Sequence, residues 1–335
     1  MRIRGRALGF LVGSFLLALA AGGARAASAQ SWTLVDLGTL GGSGSYGSAV
    51  SDNGYVAGCS NVANGEVHAF LWHDGTMLDL AAVSGTAGGA SCGLAVNDHG
   101  VVAGRAGNGA LVVWNGPSVA ALGVTGDIGA INDSGLVVGG YDDAGVRRAF
   151  AWQDGVLRDL GAPSASASSA TAVNARGEIV GQANGHAFLY RDGAFFDLGT
   201  LGGAASIAKG INDRGEVVGM ASDPHGVPTA FLYSGSMQAL AGPGDSAGVD
   251  ISDRGLVVAS GEGYYGYLVS GSDVTRLDWL PAVIAKGWHH MEPTGISDHG
   301  WIVGTGFDAE GNPRAFLLVP GGGVRAKRLD TASKG

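Results

Sequence analysis

The fold of this chain is decided by residues 209–219, KGINDRGEVVG, and by residues 68–75, HAFLWHDG. Both stretches recur in altered form, and the first recurs seven times at intervals of 35 to 46 residues. One glycine in each copy marks the register of the repeat: Gly54, Gly100, Gly135, Gly177, Gly215, Gly255 and Gly300. A period of about 41 residues predicts one small structural unit that is repeated in a propeller or a solenoid.

Each repeat offers four short apolar segments that are separated by turn residues. The segments are rich in β-branched and aromatic residues, which predicts strands rather than helices. The Asn-Asp-x-Gly signal, as at residues 212–215, is typical of a tight hairpin with a glycine bulge. Asp74-Gly75 and Asp192-Gly193 are two-residue hairpin signals between the third and fourth segments. Each repeat is therefore predicted to be a four-stranded antiparallel meander.

A single meander cannot bury its apolar side chains, whereas a ring of seven can bury residues such as Phe70 and Phe150 between neighbours. We therefore predict an all-β fold, a seven-bladed β-propeller with four short antiparallel strands per blade. The unpaired segment at residues 33–38 is expected to close the ring from the N-terminal end. The tail at residues 324–330 is the alternative closing strand, and an open β-solenoid is the alternative architecture.

The two ends of the chain differ in character from the repeats. Residues 1–26 are predicted to be a signal peptide, because three arginines precede an apolar run and the stretch ends in Ala24-Arg25-Ala26. The propeller is expected to span residues 30–320, and residues 321–335 are expected to form a flexible tail. The mature protein should be exported to the periplasm or the extracellular space.

The charge of the chain narrows the choice of partners. The net charge is −9, and it becomes −13 without the signal peptide, which carries four arginines and no acidic residue. An acidic exported domain argues against nucleic acid and against anionic membranes as partners. After the signal peptide no apolar run approaches the ~20 residues of a membrane span, so none is expected in the mature chain.

The two cysteines are predicted to form a disulfide. Cys59 follows the second strand of the first repeat and Cys92 precedes the first strand of the second. In neighbouring meanders these points lie on the same rim, and an oxidising compartment favours the bond. The alternative is two separate thiols. The spacing fits no zinc site, and we expect neither a metal nor a cofactor.

At these motifs the chain resembles the HAF-repeat family, a group of predicted extracellular bacterial repeat proteins. Residues 68–70 and 186–188 match the naming tripeptide, and residues 36–42 and 197–203 match the linker DLGTLGG in full. Other repeats depart from the tripeptide, for example RAF at residues 148–150. The resemblance covers nearly all of the mature chain and implies an extracellular repeat protein. It brings no activity and no catalytic residues.

The most irregular region is the sixth repeat and the connection that follows it. Residues 263–267, GYYGY, replace the usual third segment, and a long connection covers residues 278–293. Aromatic side chains with polar edges can cover the face of a sugar ring. The candidate ligand-binding residues are Tyr264, Tyr265, Trp279, Trp288 and His289. The alternative is a blade whose aromatic residues fill its own core.

No catalytic residue is predicted, because glycine-rich stretches such as residues 85–93 are interpreted as connections without a following helix, which provide neither a nucleophile elbow nor a phosphate-binding loop. The repeated His68 and His186 are interpreted as structural, since Arg148 and Thr229 occupy the same place in other repeats. We expect a secreted, non-catalytic binding or scaffold module, with a polysaccharide or a cell-surface protein on the rim of variable loops.

One alternative function is a glycan hydrolase or lyase, which would need two or more loop carboxylates with raised pKa values at the central well. A purely structural surface protein is a third possibility, and it would lack an aromatic-lined site. The fold class alone does not choose among the three.

Overall fold

The computed structural model describes residues 30–86, 88–161, 167–242, 244–261, 263 and 265–321. The predicted signal peptide, Tyr264 and the tail from residue 322 onward lie outside the described residues. Within these ranges no helix is long and apolar enough to cross a membrane.

Seven four-stranded antiparallel sheets follow one another around a central channel, and we call them blades one to seven in chain order. The predicted all-β, seven-bladed propeller is thereby confirmed. Strand β1 is Trp32–Asp36, and blades one to three are β2 (Gly41–Val50), β3 (Val56–Val62), β4 (Val67–His73), β5 (Thr76–Asp79); β6 (Cys92–Val96), β7 (Val102–Arg105), β8 (Leu111–Asn115), β9 (Ser118–Ala121); β10 (Gly126–Ile131), β11 (Val137–Asp143), β12 (Val146–Gln153), β13 (Val156–Asp159). Blades four to six are β14 (Ser168–Val173), β15 (Ile179–Ala183), β16 (His186–Arg191), β17 (Ala194–Asp197); β18 (Ser206–Ile211), β19 (Val217–Ser222), β20 (Pro228–Tyr233), β21 (Met237–Ala239); β22 (Ala247–Ile251), β23 (Leu256–Gly261), β24 (Tyr265–Ser270), β25 (Asp273–Arg276). Blade seven contributes β26 (His289–Ile296), β27 (Ile302–Phe307) and β28 (Pro313–Pro320).

The ring is closed by the N-terminal strand. Strand β1 pairs antiparallel with β28 as the outer strand of blade seven, with Leu34 opposite Leu318 and Asp36 opposite Phe316. Strand β1 therefore occupies the outer position of blade seven, for which residues 324–330 were the alternative. Blade seven thus combines strands from both ends of the described chain.

The Gly and Phe of the repeat pack against each other within five of the seven blades. Gly58 on the second strand lies opposite Phe70 on the third, and a Cβ atom at Gly58 would come within 2.7 Å of the Phe70 ring. The same pairing recurs in blades three, four, five and seven. Phe70, Phe150, Phe231 and Phe316 are completely buried. Truncation of such a buried ring to alanine typically costs about 3–5 kcal/mol.

A buried serine at the start of the innermost strand joins each of several blades to the preceding one. Ser206 Oγ accepts a hydrogen bond from Ala187 N at 2.8 Å and donates to the Gly199 carbonyl. Equivalent bonds from an alanine N–H are accepted by Ser45, Ser91, Ser168 and Ser246. The alanine of the tripeptide thus presents its backbone to the neighbouring blade.

The Asn-Asp turns link the blades around the channel. Asn97 Nδ2 donates to the Asn132 carbonyl at 3.1 Å, and Asp98 N–H donates to the Asp133 carboxylate at 2.8 Å. Corresponding bonds join blades four and five. These residues therefore build turns, as predicted, and they also connect each turn to the next one around the ring.

The two faces of the ring differ in their connections. Tight turns between strands one and two and between strands three and four lie on one face, which we call the tight-turn rim. The other face, the loop rim, carries the loops between strands two and three and the connections between blades. Two five-residue helices lie in those connections: α1 (Leu80–Ser84) and α2 (Pro281–Ala285).

Candidate functional site

Two equivalent positions near the loop rim, one on the second strand of a blade and one on the first strand of the next, distinguish three of the seams between blades. At the first seam these positions are Cys59 and Cys92, which form a disulfide with their Cα atoms 4.7 Å apart. At the second seam they are Arg105 and Asp127, which form an ion pair at 2.6 Å. Both seams are closed by a side-chain pair.

The seam between blades seven and one is open. Its equivalent residues, Thr305 and Tyr46, line a groove of about 450 Å³ instead of bonding to each other. The groove is lined by Tyr46, His290, Glu292, Thr305, Phe307 and Pro313. Gly44 allows the chain to approach this seam, because a Cβ atom there would come within 2.8 Å of the Pro313 ring.

The connection between blades six and seven presents an exposed indole on the loop rim. Trp279 ends a 3-10 turn, Leu277–Trp279, and its side chain is 68% exposed. The turn is anchored by Asp278, whose carboxylate accepts bonds from Arg276 and from the Met291 N–H, both at 2.9 Å. A well-anchored turn therefore holds a solvent-exposed aromatic ring.

Aromatic and cationic side chains continue from Trp279 to the groove. The Arg276 guanidinium carbon lies 5.4 Å from the Trp279 ring centroid and 3.3 Å from that of Tyr265. Tyr265 stacks with His290 at 5.3 Å, and His290 meets Phe307 edge-on at 6.1 Å. We call these five residues the aromatic track. It joins the exposed indole to the open seam.

The structure brings only some of the candidate residues together. Tyr265 and Trp279 belong to the track, and His289 is exposed beside it, with its ring 5.7 Å from Phe307. Trp288 is only 7% exposed and packs in the core with Leu277 and Met291, so its indole supports the connection instead of facing solvent. Sequence reasoning missed Tyr46 and Phe307, because each lies in a regular strand of its repeat.

The channel mouth on the tight-turn rim is surrounded by carboxylates. Six blades each place an aspartate there, and Ala175 takes the position in blade four. The aspartates are Asp52, Asp98, Asp133, Asp213, Asp253 and Asp298. The cavity that they line holds about 200 Å³.

Two acids at this mouth have raised pKa values. Desolvation raises the pKa of Asp250 to about 6, although hydrogen bonds from the Ile296 and Ile251 N–H groups oppose the shift. Desolvation and the charges of Asp52 and Asp253 raise the pKa of Asp298 to about 7. These carboxylates come from strand ends and tight turns, and not from the variable loops.

Metal binding gains no support from the part of the chain that the structure describes. There, no group of three or more His, Cys, Asp or Glu side chains is arranged to hold a metal ion.

Comparison with known proteins shows the fold. No protein-family model and no curated protein matches the chain. The β-propeller domain of the Trilobed protease from Pyrococcus furiosus is similar in structure, with a TM-score of 0.54 and 11% identity over 82% of this chain and 93% of that one. YCF48 bound to D1 peptide is also similar in structure, with a TM-score of 0.49 and 11% identity over 86% of this chain and 95% of that one.

A third similar structure is the BP39L lectin from Burkholderia pseudomallei, with a TM-score of 0.41 and 12% identity over 88% of this chain and 97% of that one. One architecture of this kind can carry unrelated functions. The fold therefore does not by itself choose a function.

Proposed function

We propose that this protein is an exported, non-catalytic binding module that holds a polysaccharide on the loop rim of blades six, seven and one. The observation that carries the proposal is Trp279, an indole that is 68% exposed on an anchored turn. A flat, solvent-exposed ring can cover the face of a sugar.

The distribution of exposed aromatic side chains supports this location. Among the described residues four Tyr, Trp and Phe side chains are exposed, and three of them lie on the loop rim between blades six and one. These are Tyr46, Trp279 and Phe307, and the fourth is Phe196 on the outer strand of blade four. The track and the groove give an extended surface, which suits a polymer better than a small molecule.

The test is binding of the purified protein to a panel of soluble polysaccharides by affinity electrophoresis and thermal shift. We expect Trp279→Ala to weaken binding about tenfold, which corresponds to about 1.4 kcal/mol. Phe196→Ala is the matched control, because that ring is also exposed and has Arg191 at 5.1 Å, much as Trp279 has Arg276 at 5.4 Å. Equal losses in the two variants, or no polysaccharide binding by the wild type, would contradict the proposal.

Glycan cleavage at the channel mouth is a second candidate function. It is favoured by the raised pKa values of Asp250 and Asp298, since a proton-donating acid needs such a shift. Both carboxylates, however, already accept backbone hydrogen bonds within the fold. The cavity of about 200 Å³ is also smaller than typical ligand pockets of ~300–1,000 Å³. Release of reducing ends that Asp298→Asn abolishes would establish the enzyme instead.

We also propose that the chain belongs to the HAF-repeat family and is exported through its first 26 residues. The family signature has a consistent physical role in this chain: His68 pairs with Asp79 at 2.7 Å and His186 with Asp197 at 2.9 Å. In blade three, where arginine replaces the histidine, Arg148 approaches Asp159 at 3.7 Å, whereas Arg314 of blade seven pairs with Asp308 instead. N-terminal sequencing of the protein recovered outside the cytoplasm tests export, and a chain that begins at Met1 would contradict it.

A further inference from the structure

The groove at the seam between blades seven and one combines two aromatic walls with an acid. Tyr46 is 43% exposed and Phe307 is 38% exposed, and both line the groove with Glu292. Its volume of about 450 Å³ falls within the ~300–1,000 Å³ that is usual for small-ligand pockets. One or two sugar rings fit such a space.

The charge of Glu292 is not matched by the protein. In the described part of the chain its carboxylate forms no ion pair and no hydrogen bond with another side chain, and the residue is exposed. Two arginines of the neighbouring strands are engaged elsewhere, since Arg276 pairs with Asp278 at 2.9 Å and Arg314 with Asp308 at 3.2 Å. A neutral sugar could reach this carboxylate only through hydroxyl hydrogen bonds, whereas an ammonium group would donate hydrogen bonds and also neutralise its charge.

We infer that the groove binds an amine-bearing sugar, and that the polysaccharide of the proposed function is a polymer of amino sugars with free amino groups. This inference rests on the proposed function and specifies its ligand. An ammonium group would pair with Glu292, and it would also be attracted to the faces of Tyr46 and Phe307. The net charge of −9 adds long-range attraction for a cationic polymer.

The aromatic track then has a defined part in binding. Sugar rings that follow the one in the groove would extend past Tyr265 toward Trp279, where the exposed indole supplies a stacking surface. Stacking on Trp279 depends on the ring faces and not on the amino group. The indole of Trp279 should therefore contribute equally to free-amine and N-acetylated chains, and Glu292 in the groove should discriminate between them.

The experiment compares a glucosamine hexamer with the same hexamer after complete N-acetylation, by calorimetry at low and at moderate salt. We expect the wild type to bind the free-amine hexamer at least tenfold more tightly. Glu292→Gln should reduce this preference to threefold or less, chiefly by weakening binding of the free-amine hexamer. Glu310→Gln is the matched control, because it removes the same charge from an exposed residue of the same rim outside the groove.

Each outcome decides the inference. A preference that Glu292→Gln removes and Glu310→Gln retains supports it. Equal binding of both hexamers, weakened alike by Trp279→Ala, overturns it and leaves the proposed function standing. Equal loss of the preference in Glu292→Gln and Glu310→Gln also overturns it, because general charge would then be the cause. Binding of neither hexamer overturns it, and the polysaccharide panel then decides the proposed function separately.

Discussion

The seam between blades one and two and the seam between blades seven and one hold equivalent positions in different states. Cys59 and Cys92 close the first with a covalent bond, whereas Thr305 and Tyr46 leave the second open as a groove. The strands that carry these residues pair in the same register in both places. The repeated scaffold therefore fixes where two side chains meet, and their chemistry decides whether the meeting place becomes a bond or a binding surface.

The largest effect is expected where the seam is covalent. Replacing both Cys59 and Cys92 by serine should lower the free energy of unfolding by about 3–4 kcal/mol, because a disulfide across 33 residues restricts the unfolded chain. Urea unfolding of the double variant and of the wild type, with and without reductant, measures this difference. If the oxidised wild type and the double variant unfold at the same urea concentration, the disulfide does not stabilise the ring. The closed seam and the open seam would then not differ in their contribution to the free energy of unfolding.

A buried acid distinguishes the seam between blades six and seven. Asp250 accepts a hydrogen bond from the Ile296 N–H of blade seven at 3.0 Å, and the equivalent positions of the other six blades hold alanine or glycine. Its pKa is raised to about 6 by desolvation, so the folded state holds the proton more tightly than the unfolded chain, whose pKa is about 3.9. The contribution of Asp250 to the free energy of unfolding is therefore fully present at low pH, and it is lost as the pH rises through 6.

Between pH 5 and pH 8 this loss should amount to about 1.5 kcal/mol, and Asp250→Asn should remove it from the pH profile. Asp298, with its pKa raised to about 7, contributes in the same direction and remains in the variant. Glu178 does not titrate between pH 5 and pH 8, because hydrogen bonds from Asn174 and Arg176 outweigh the effect of burial and lower its pKa. Thermal unfolding across the window provides the measurement, and an identical slope in the variant would show that Asp250 does not titrate there.

The architecture could be predicted from the sequence because it depends on patterns inside each repeat. Each of these patterns acts within about ten residues: the alternating apolar residues, the Asn-Asp turns and the Asp-Gly hairpins. Each can therefore be interpreted without knowledge of distant residues. Closure by residues 33–38 could be predicted as the preferred choice, and the pairing of β1 with β28 then decided it against the tail. The disulfide positions could be predicted because cysteine has one favoured partner, another cysteine.

The groove could not be predicted in the same way, because its residues come from both ends of the ring. Tyr46 and Thr305 are 259 positions apart, and neither side chain has a chemical preference for the other. The serines that join blades did leave a signal, since Ser45, Ser168 and Ser206 recur at the start of the first strand. Trp288 was misleading for a different reason: its sequence neighbours are polar, but its connection folds back over the core.

The smallest effect is expected at the seam that is closed by an ion pair. Asp127 is bound by Arg105 at 2.6 Å and also by Arg147, yet its side chain is 62% exposed and water competes for the same charges. Asp127→Asn should therefore cost about 0.5 kcal/mol at low salt, and still less in 0.5 M salt, because exposed pairs are screened. Urea unfolding at the two salt concentrations measures both values. A cost above about 2 kcal/mol that salt does not reduce would mean that the two arginines hold this seam as firmly as the disulfide holds its neighbour, since surface ion pairs rarely reach that size. The contribution of each seam to stability would then depend on its geometry and not on the chemistry of its side chains. The open seam between blades seven and one would then have to be held in place by other contacts.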